Sequence, residues 1–332
     1  MGILPAGAAQ PVVLGLMGWG GGWGTEPLDD AGREAVDATA RQALGAALAA
    51  GITTVDTADI YAHGRSEETL GRLLAAEPGL RDRFHLQTKC GILVGGSPLH
   101  GEAATRYDSS PAHVRASITA SLARLGTQRI DTLIIHRPDV LTDPAETVGA
   151  YLEAQAEGVV GRLGVSNMPL AWVRRFDDAL RAASGGAEGL VCVQLEMGLH
   201  RRALVESVVL ANHPEAAPSA GMGGLVEFVR ERGITLQAWG SLAQGMFTRH
   251  GPGEATAAAV ATVAGVAREL ETSREAVVLA WLVRLPWGIR PVIGSLTPAR
   301  IADCGQAADV ARRMDAEQWY RLWTAARGEQ LP

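Results

Sequence analysis

Short apolar runs alternate with longer segments of helical periodicity from about residue 12 to residue 310. Each short run has the length of one buried strand, and each longer segment repeats its apolar residues every three to four positions. The pattern therefore predicts eight strand–helix units. The strand-like runs are LGLMGW (14–19), ITTVD (52–56), HLQTK (85–89), DTLIIH (131–136), VVGRLGVS (159–166), LVCVQ (190–194), ITLQAW (234–239) and RPVIG (290–294).

The ends of the predicted helices carry their own signals. Ser110, Asp143 and Thr297 each precede a proline, which is the usual order of a helix N-cap and the first helical residue. Glycine follows other helical segments, as at Gly126 and Gly233, where a left-handed residue can end a helix. The helices therefore fill the segments between the strands.

Eight strand–helix units in 332 residues are the content of a (β/α)8 TIM barrel, an α/β fold in which helices surround eight parallel strands. We expect a single barrel domain over residues 1–332, with a C-terminal helical tail. The alternative is a doubly wound dinucleotide-binding fold, whose fingerprint is G-x-G-x-x-G. The glycine cluster GWGGGWG (18–24) does not match it, because Trp23 stands where the third glycine should be. The barrel is therefore favoured.

Composition limits the binding partners and the cellular compartment that we expect. The net charge is −6 with no basic block, which argues against binding to nucleic acid or to an anionic membrane. Cys90, Cys192 and Cys304 lack metal-ligand spacing, so we expect free thiols in a reducing compartment and no metal site. No charged leader or long apolar stretch is present, which predicts a cytoplasmic protein.

The oligomeric state does not follow from the sequence, and a monomer is plausible. The Pro-, Gly- and Ala-rich segment 212–224 predicts a surface loop.

One residue type is nearly absent. The chain has a single lysine, Lys89, against 29 arginines, so arginine supplies positive charge almost everywhere. An ammonium is a compact point charge whose pKa neighbours can shift, whereas a guanidinium is planar and always charged. A leftover surface lysine would explain the count equally well. The run FHLQTKCG, which places Lys89 at the end of a strand, favours a specific role.

Polar or aromatic residues end almost every predicted strand after an apolar interior. In a (β/α)8 barrel the carboxyl ends of all strands surround one mouth, where active sites lie. A single polar residue at such a position is ordinary solvation, but a nearly complete ring predicts a shared ligand site. The ring consists of Asp56, Lys89, His136, Ser166 with Asn167, Gln194, Trp239 and Ser295.

Asp56, Lys89 and His136 end neighbouring strands, which lie about 4.8 Å apart in a parallel sheet. Tyr61 follows Asp56 by five residues and can fold back over the mouth. An adjacent ammonium favours the phenolate, so we expect Lys89 to lower the pKa of Tyr61 below about 10. His136 could then orient a carbonyl oxygen. Taken singly, these residues could equally be a turn former, a packed ring or a core histidine.

Seven stretches of the chain form a specific combination of motifs. They are GITTVDTADIYAHGRSEETLGRLL, QTKCGI, IDTLIIHRPD, GRLGVSN, VQLEM, LQAWGSLAQG and PVIGSLTPAR. This combination resembles the aldo-keto reductases, NAD(P)H-dependent (β/α)8 barrel enzymes with an Asp–Tyr–Lys–His tetrad. The resemblance spans about residues 12–327, and the ending QWYRLWTAAR is similar to that of a bacterial oxidoreductase subgroup.

The resemblance implies reversible reduction of an aldehyde or ketone by NADPH. Tyr61 would be the general acid in reduction. Lys89, paired with Asp56, would lower the pKa of Tyr61. His136 would position and polarise the substrate carbonyl.

The resemblance also implies a set of cofactor contacts. Ser166, Asn167 and Gln194 would hold the nicotinamide carboxamide, and the nicotinamide ring would stack on Trp239. The loop after this tryptophan would wrap the pyrophosphate, and the segment after the last strand would meet the adenosine phosphate. These further contacts are Ser241, Leu242, Gln244 and Gly245, then Gly294, Ser295, Thr297, Arg300 and Asp303.

Two positions depart from the family pattern. Gly294 stands where a lysine often partners the adenosine 2′-phosphate, and Cys304 stands where an asparagine lies near the adenine. Arg300 remains and can make bidentate contacts with a phosphate. We therefore expect NADPH as the cofactor, with NADH possible.

Loops at the mouth should select the substrate, which we expect to be a small aldehyde or ketone. Packing would explain the aromatic residues of these loops equally well. The run 200–202, His-Arg-Arg, is interpreted as a solvated face. The predicted pocket residues are Trp19, Ile60, Cys90 and Ile92, with Trp23 as a further candidate.

Two other functions stay open. A lyase could use Lys89 as a Schiff-base nucleophile, but this needs a neutral amine, and Asp56 would keep the lysine charged. A non-catalytic module could instead bind the nicotinamide cofactor and sense its redox state, although the intact tetrad argues for catalysis.

Overall fold

The computed structural model describes residues 10–210, 221–249 and 256–331. Most of the predicted surface loop, residues 212–220, therefore lies outside the described part of the chain. The strands are β1 (Val13–Gly15), β2 (Thr54–Asp56), β3 (His85–Cys90), β4 (Ile92–Leu93), β5 (Arg106–Tyr107), β6 (Ile130–Ile135), β7 (Val160–Ser166), β8 (Cys192–Glu196), β9 (Thr235–Trp239) and β10 (Arg290–Ile293).

Eight of these strands close into a parallel barrel in the order β1-β10-β9-β8-β7-β6-β3-β2. Each predicted strand segment overlaps one barrel strand, so the predicted (β/α)8 fold is confirmed. The first strand is shorter than predicted, because the Trp19 N–H donates to the Leu16 carbonyl at 2.9 Å and turns the chain just after Gly15. In the loop after β3, β4 and β5 pair with each other as a separate antiparallel ribbon.

Helices surround the barrel, and three helices in the described chain follow the last strand as the predicted C-terminal tail. Ser110 and Asp143 cap their helices as predicted, accepting from His113 N at 3.4 Å and Ala145 N at 2.9 Å. Among the described residues, no helix has the length and apolar character needed to cross a bilayer. The helices are α1 (Asp30–Ala49), α2 (Arg65–Ala76), α3 (Pro111–Leu125), α4 (Pro144–Ala156), α5 (Leu170–Ala183), α6 (Ala203–Val209), α7 (Leu225–Arg232), α8 (Ala257–Glu269), α9 (Arg274–Val283), α10 (Pro298–Gly305), α11 (Ala307–Arg313) and α12 (Ala316–Arg327).

Helices α2 and α3 approach each other closely at Gly71. A Cβ there would lie 2.2 Å from the Arg124 carbonyl oxygen, whereas a Cβ at Gly149 in α4 would meet nothing within 4 Å. Because alanine favours a helix over glycine by up to about 1 kcal/mol, we expect Gly149→Ala to raise the free energy of unfolding by about that amount. We expect Gly71→Ala to lower it by about 1–3 kcal/mol through overpacking. Chemical denaturation measures both, and equal stabilisation by the two substitutions would contradict the close approach.

Candidate active site

A buried ion pair lies at the mouth of the barrel. β2 ends at Asp56, and the neighbouring β3 carries Lys89 one residue before its end. The Lys89 ammonium lies 2.7 Å from Asp56 Oδ2 and donates to the Thr57 carbonyl, also at 2.7 Å. Only 1% of the lysine side chain and 3% of the aspartate side chain are exposed. Each charge needs the other, because removing one would leave an uncompensated charge away from water.

Three glutamines extend this pair across the barrel interior. Gln87 and Gln194 both donate to Asp56 Oδ1, at 2.7 and 3.1 Å. Gln237 accepts from the amides of both, at 2.8 and 3.0 Å, and donates back to Gln87 at 3.0 Å. The carboxylate therefore accepts three hydrogen bonds, from Lys89, Gln87 and Gln194, and its orientation is fixed by β3 and β8.

Tyr61 begins a short 3₁₀ turn, Tyr61–Gly64, that brings the chain back over the mouth. Ala62 and His63 in this turn have φ of 48° and 58°, a left-handed conformation that residues other than glycine rarely adopt. The His63 ring holds the turn in place through hydrogen bonds to the loops after β1 and β3. As a result, the centre of the Tyr61 ring lies 4.8 Å from Lys89 Nζ.

His136 follows β6 and completes the group. Its ring centre lies 6.1 Å from that of Tyr61, with the two planes at 80°. Asn167 donates to the His136 carbonyl oxygen at 3.2 Å and accepts from Trp239 Nε1 at 3.0 Å. The ends of β6, β7 and β9 are therefore joined by the Asn167 side chain, which holds the Trp239 indole in the mouth.

The pKa of Tyr61 lies above its ordinary value of 10.0, which corrects the predicted lowering. Burial is the largest cause and raises the pKa, the Lys89 ammonium lowers it, and the Asp56 carboxylate raises it again. The ammonium therefore limits the rise and does not reverse it. At neutral pH the phenol carries its proton, which is the form that a proton donor needs.

The other two titratable groups also have shifted pKa values. Burial lowers the pKa of Lys89, but the Asp56 carboxylate and the Tyr61 phenol raise it by more, so it lies above 10.5. A lysine that stays charged is a poor amine nucleophile, which argues against the Schiff-base alternative. The pKa of His136 lies well below 6.5, because burial, Lys89 and Arg137 all disfavour the imidazolium. A neutral His136 can donate one hydrogen bond from its ring.

A cleft of about 950 Å³ opens beside these groups at the carboxyl ends of the strands. This volume is at the upper end of the range for ligand clefts, about 300–1,000 Å³. The cleft brings together most of the predicted site residues, namely Asp56, Ile60, Tyr61, His136, Ser166, Asn167, Gln194, Trp239, Ser241, Leu242, Gln244, Gly245, Gly294, Ser295, Thr297 and Arg300.

The loop 240–245, directly after β9, forms one wall of the cleft. The Ser241 hydroxyl donates to the Val292 carbonyl at 3.0 Å and so fastens the loop to β10. Gly245 has a φ of 89°, and a Cβ there would lie 2.4 Å from Arg249 Nε. A side chain at Gly245 would therefore collide with the guanidinium, which lines the cleft.

Three of the four predicted pocket residues do not line the cleft, which corrects that prediction. Trp19 is packed into the core with 1% of its surface exposed, and Trp23 from the same glycine-rich loop lines the cleft. Cys90 follows Lys89 on β3 and is buried, because successive residues of a strand face opposite sides and Lys89 faces the barrel interior. Ile92 belongs to the β4–β5 ribbon.

Gln87 and Gln237 of the interior network were not predicted, although the sequence carried a signal for them. Gln87 lies two residues before Lys89, and Gln237 lies two residues before Trp239. Residues two apart on a strand face the same side, so a polar residue at that position points into the barrel beneath a mouth residue.

Several titratable groups of the cleft were also not predicted. His200, interpreted as part of a solvated face, lines the cleft with its Nε2 3.3 Å from Glu196 Oε1, whereas Arg201 is exposed. Glu275 lines the cleft as well, while the predicted Asp303 lies outside its lining. Burial, followed by the Glu275 carboxylate, raises the pKa of Asp303, so these two acids lie near each other.

Comparison with known proteins places this fold and cleft in a family. Residues 11–326 match the model of the aldo/keto reductase family. The chain belongs to that family. A protein from Agrobacterium fabrum, named 6-dehydroglucose reductase, is 34% identical over 288 residues, 87% of this chain and 88% of that protein. A protein of the same name from Novosphingobium aromaticivorans is 36% identical over 317 residues, 93% of this chain and 92% of that one.

The fold comparison agrees with this assignment. A crystal structure of an aldo/keto reductase from Klebsiella pneumoniae in complex with NADP and acetate superimposes with a TM-score of 0.69 at 22% identity. The match covers 100% of this chain and 96% of that one. The predicted resemblance is confirmed: this aldo/keto reductase is an oxidoreductase, of a family that reduces carbonyl groups with nicotinamide cofactors.

The buried, neutral imidazole of His136 should make the free energy of unfolding depend on pH. Its pKa in the folded protein lies well below the usual value of 6.5, so below that pH the unfolded chain binds a proton that the folded protein does not. As pH falls from about 7.5 to about 5.5, we expect wild type to lose up to about 1.4 kcal/mol of unfolding free energy per pH unit relative to His136→Gln. Urea denaturation at both pH values tests this. The same pH dependence in both proteins would show that the imidazole titrates normally.

Proposed function

We propose that this aldo/keto reductase reduces an aldehyde or ketone to the alcohol with NADPH, and that Tyr61 donates the proton. The observation that carries the proposal is the buried Lys89–Asp56 pair beside the Tyr61 ring, at the edge of a dinucleotide-sized cleft. When bound, the nicotinamide supplies the hydride. The chain supplies the proton, the orientation of the carbonyl and the exclusion of water.

Each polar group has one task in this proposal. Tyr61, protonated at neutral pH, gives its proton to the carbonyl oxygen as that oxygen gains charge. Lys89 stabilises the phenolate that remains, and Asp56 keeps the ammonium charged and in place. Neutral His136 donates a hydrogen bond that orients the carbonyl oxygen toward Tyr61.

The cofactor would lie along the ends of β7 to β10. Ser166, Asn167 and Gln194 line the cleft where the carboxamide would bind, and Trp239 offers its indole to the nicotinamide ring. Gln194 already donates to Asp56 and Gln237, so only its carbonyl oxygen is left to bind the carboxamide.

The residues after β10 favour a cofactor that carries a phosphate on its adenosine. Arg300 lines the cleft, and its guanidinium has no hydrogen bond or ion pair to any residue within the described ranges. Ser295 and Thr297 line the cleft beside it. Gly294 contributes no charge, so Arg300 would carry most of the preference for NADPH over NADH.

The names of the bacterial relatives suggest which substrate to assay first. Both bacterial relatives are named for reducing 6-dehydroglucose, so we propose a small carbonyl compound of this kind, an aldehyde on a short polar chain, as the first substrate to assay.

Tyr61→Phe removes the proposed acid and leaves the ring in place. We expect kcat for aldehyde reduction to fall about 10²–10⁴-fold, the usual contribution of general acid catalysis. The dissociation constant for NADPH, measured by quenching of Trp239 fluorescence, should change less than about threefold. Tyr320→Phe, an exposed tyrosine on α12, is the matched control. Wild-type kcat in Tyr61→Phe would show that another group donates the proton.

Arg300→Gln tests the assignment of the cofactor. Loss of a charged hydrogen-bond donor to the 2′-phosphate should weaken NADPH binding about 10- to 100-fold, because such bonds contribute about 1.5–3 kcal/mol. NADH, which lacks this phosphate, should bind nearly as before. Arg41→Gln, an exposed arginine on α1 away from the cleft, controls for the loss of charge. Equal weakening of both cofactors would refute the role of Arg300 in selecting NADPH.

A further inference from the structure

Three arginines of the cleft have no side-chain partner among the residues that the structure describes. Within the ranges that the structure describes, Arg137, Arg249 and Arg300 make no side-chain hydrogen bond or ion pair. Arg137 and Arg300 are partly buried, whereas Arg249 is exposed. Most other partly buried arginines among the described residues are paired, as Arg72 is with Asp37 at 2.7 Å. A guanidinium held at a cleft wall with its donors unused is ready to bind an anion in bidentate geometry.

Two of these arginines lie on the side of the cleft where the proposed cofactor would bind. Arg249 follows the loop after β9, and Arg300 lies on α10 after β10, where the phosphates of a dinucleotide would bind. Arg137 is different, because it directly follows His136 in the loop after β6. Its charge acts on the His136 imidazole. Arg137 lines the cleft and is next in sequence to His136, which would orient the substrate carbonyl.

No nearby carboxylate neutralises Arg137 in the described part of the chain. Asp56 is engaged by Lys89 and two glutamines. Asp139, two residues after Arg137, is buried and accepts hydrogen bonds from Ser109 N at 2.9 Å, Leu141 N at 2.9 Å and the Thr142 hydroxyl at 2.6 Å. These bonds fold the loop and use both carboxylate oxygens, so the Arg137 guanidinium is left for a ligand.

The wall on the Tyr61 side of the cleft is apolar. The Trp23 indole packs edge-on against Tyr61, with ring centres 6.4 Å apart, and Ile60 lines the cleft beside it. A carbonyl compound with its oxygen at Tyr61 and His136 would therefore meet apolar surface along its body. Arg137, next to His136 in the chain, lines the same cleft and would supply a cation to such a compound.

We propose, on the basis of the carbonyl reduction proposed above, that Arg137 is a specificity residue that binds an anionic substituent, a carboxylate or a phosphate, on the carbonyl substrate. The substituent takes no part in the reaction. The carbonyl carbon gains the hydride, the oxygen gains the Tyr61 proton, and the anion stays bound to the guanidinium throughout.

Two matched pairs of aldehydes test this with NADPH. The carboxylate pair is 4-carboxybenzaldehyde and 4-methylbenzaldehyde, and the phosphate pair is glyceraldehyde 3-phosphate and glyceraldehyde. We expect wild type to prefer the anionic member of at least one pair by about tenfold or more in kcat/KM. In Arg137→Gln that ratio should fall by about 10- to 100-fold, chiefly through KM, and Arg137→Lys should retain part of it. Arg41→Gln should keep the wild-type ratio.

The outcomes separate the two proposals. Preference within one pair alone identifies the anion as a carboxylate or a phosphate. A wild-type enzyme that reduces neutral and anionic members equally well overturns the role of Arg137 and leaves carbonyl reduction standing. Absence of turnover with all four aldehydes and with 6-dehydroglucose overturns both. Wild type gives a second measurement that needs no variant, since a preference for anions must weaken as salt is added. A salt-independent preference would overturn the ionic contact.

Discussion

The ion pair between Lys89 and Asp56 is the interaction on which the rest of the site depends. Burying two charges costs several kcal/mol for each ion, and the pair is tolerated only because its geometry is good and further hydrogen bonds satisfy both partners. Asp56 accepts from Lys89, Gln87 and Gln194, and the ammonium also donates to a backbone carbonyl. Such a pair adds little to stability compared with an apolar core. It places a permanent positive charge 4.8 Å from the centre of a phenol ring that burial would otherwise make a very weak acid.

The closed barrel explains how one small volume collects these groups from distant parts of the chain. β2, β3 and β6 are neighbours, so their ends supply Asp56, Lys89 and His136 side by side. Tyr61 comes from a loop, and its position depends on two left-handed residues held by contacts with neighbouring loops. On the other side of the mouth, Asn167 links the His136 backbone to the Trp239 indole. The proposed catalytic group and the wall where the nicotinamide would bind are thus linked through the hydrogen bonds of Asn167.

Periodicity and strand order were enough to predict the barrel and the ring of residues at its mouth, because both follow from local spacing. The Gln87–Gln194–Gln237 network was accessible by the same rule and was missed, since only the last residue of each strand was considered. Which of Trp19 and Trp23 lines the cleft could not be predicted, because a turn at Leu16 decides which indole enters the core. The direction of the pKa shift of Tyr61 could not be predicted from the sequence either. Proximity to Lys89 follows from spacing, but the opposing effect of burial depends on how the loops cover the ring.

The most direct test of the account is the ionisation of Tyr61 itself. The chain has only four tyrosines, so ¹³Cζ-tyrosine NMR resolves each phenol, and Tyr61→Phe assigns the signal. In the free protein we predict a Tyr61 pKa above the ordinary value of 10.0. In Lys89→Met we predict a still higher pKa, measured on protein whose near-UV circular dichroism shows that it is folded. An unchanged or lower pKa in that folded variant would show that the ammonium does not control the phenol.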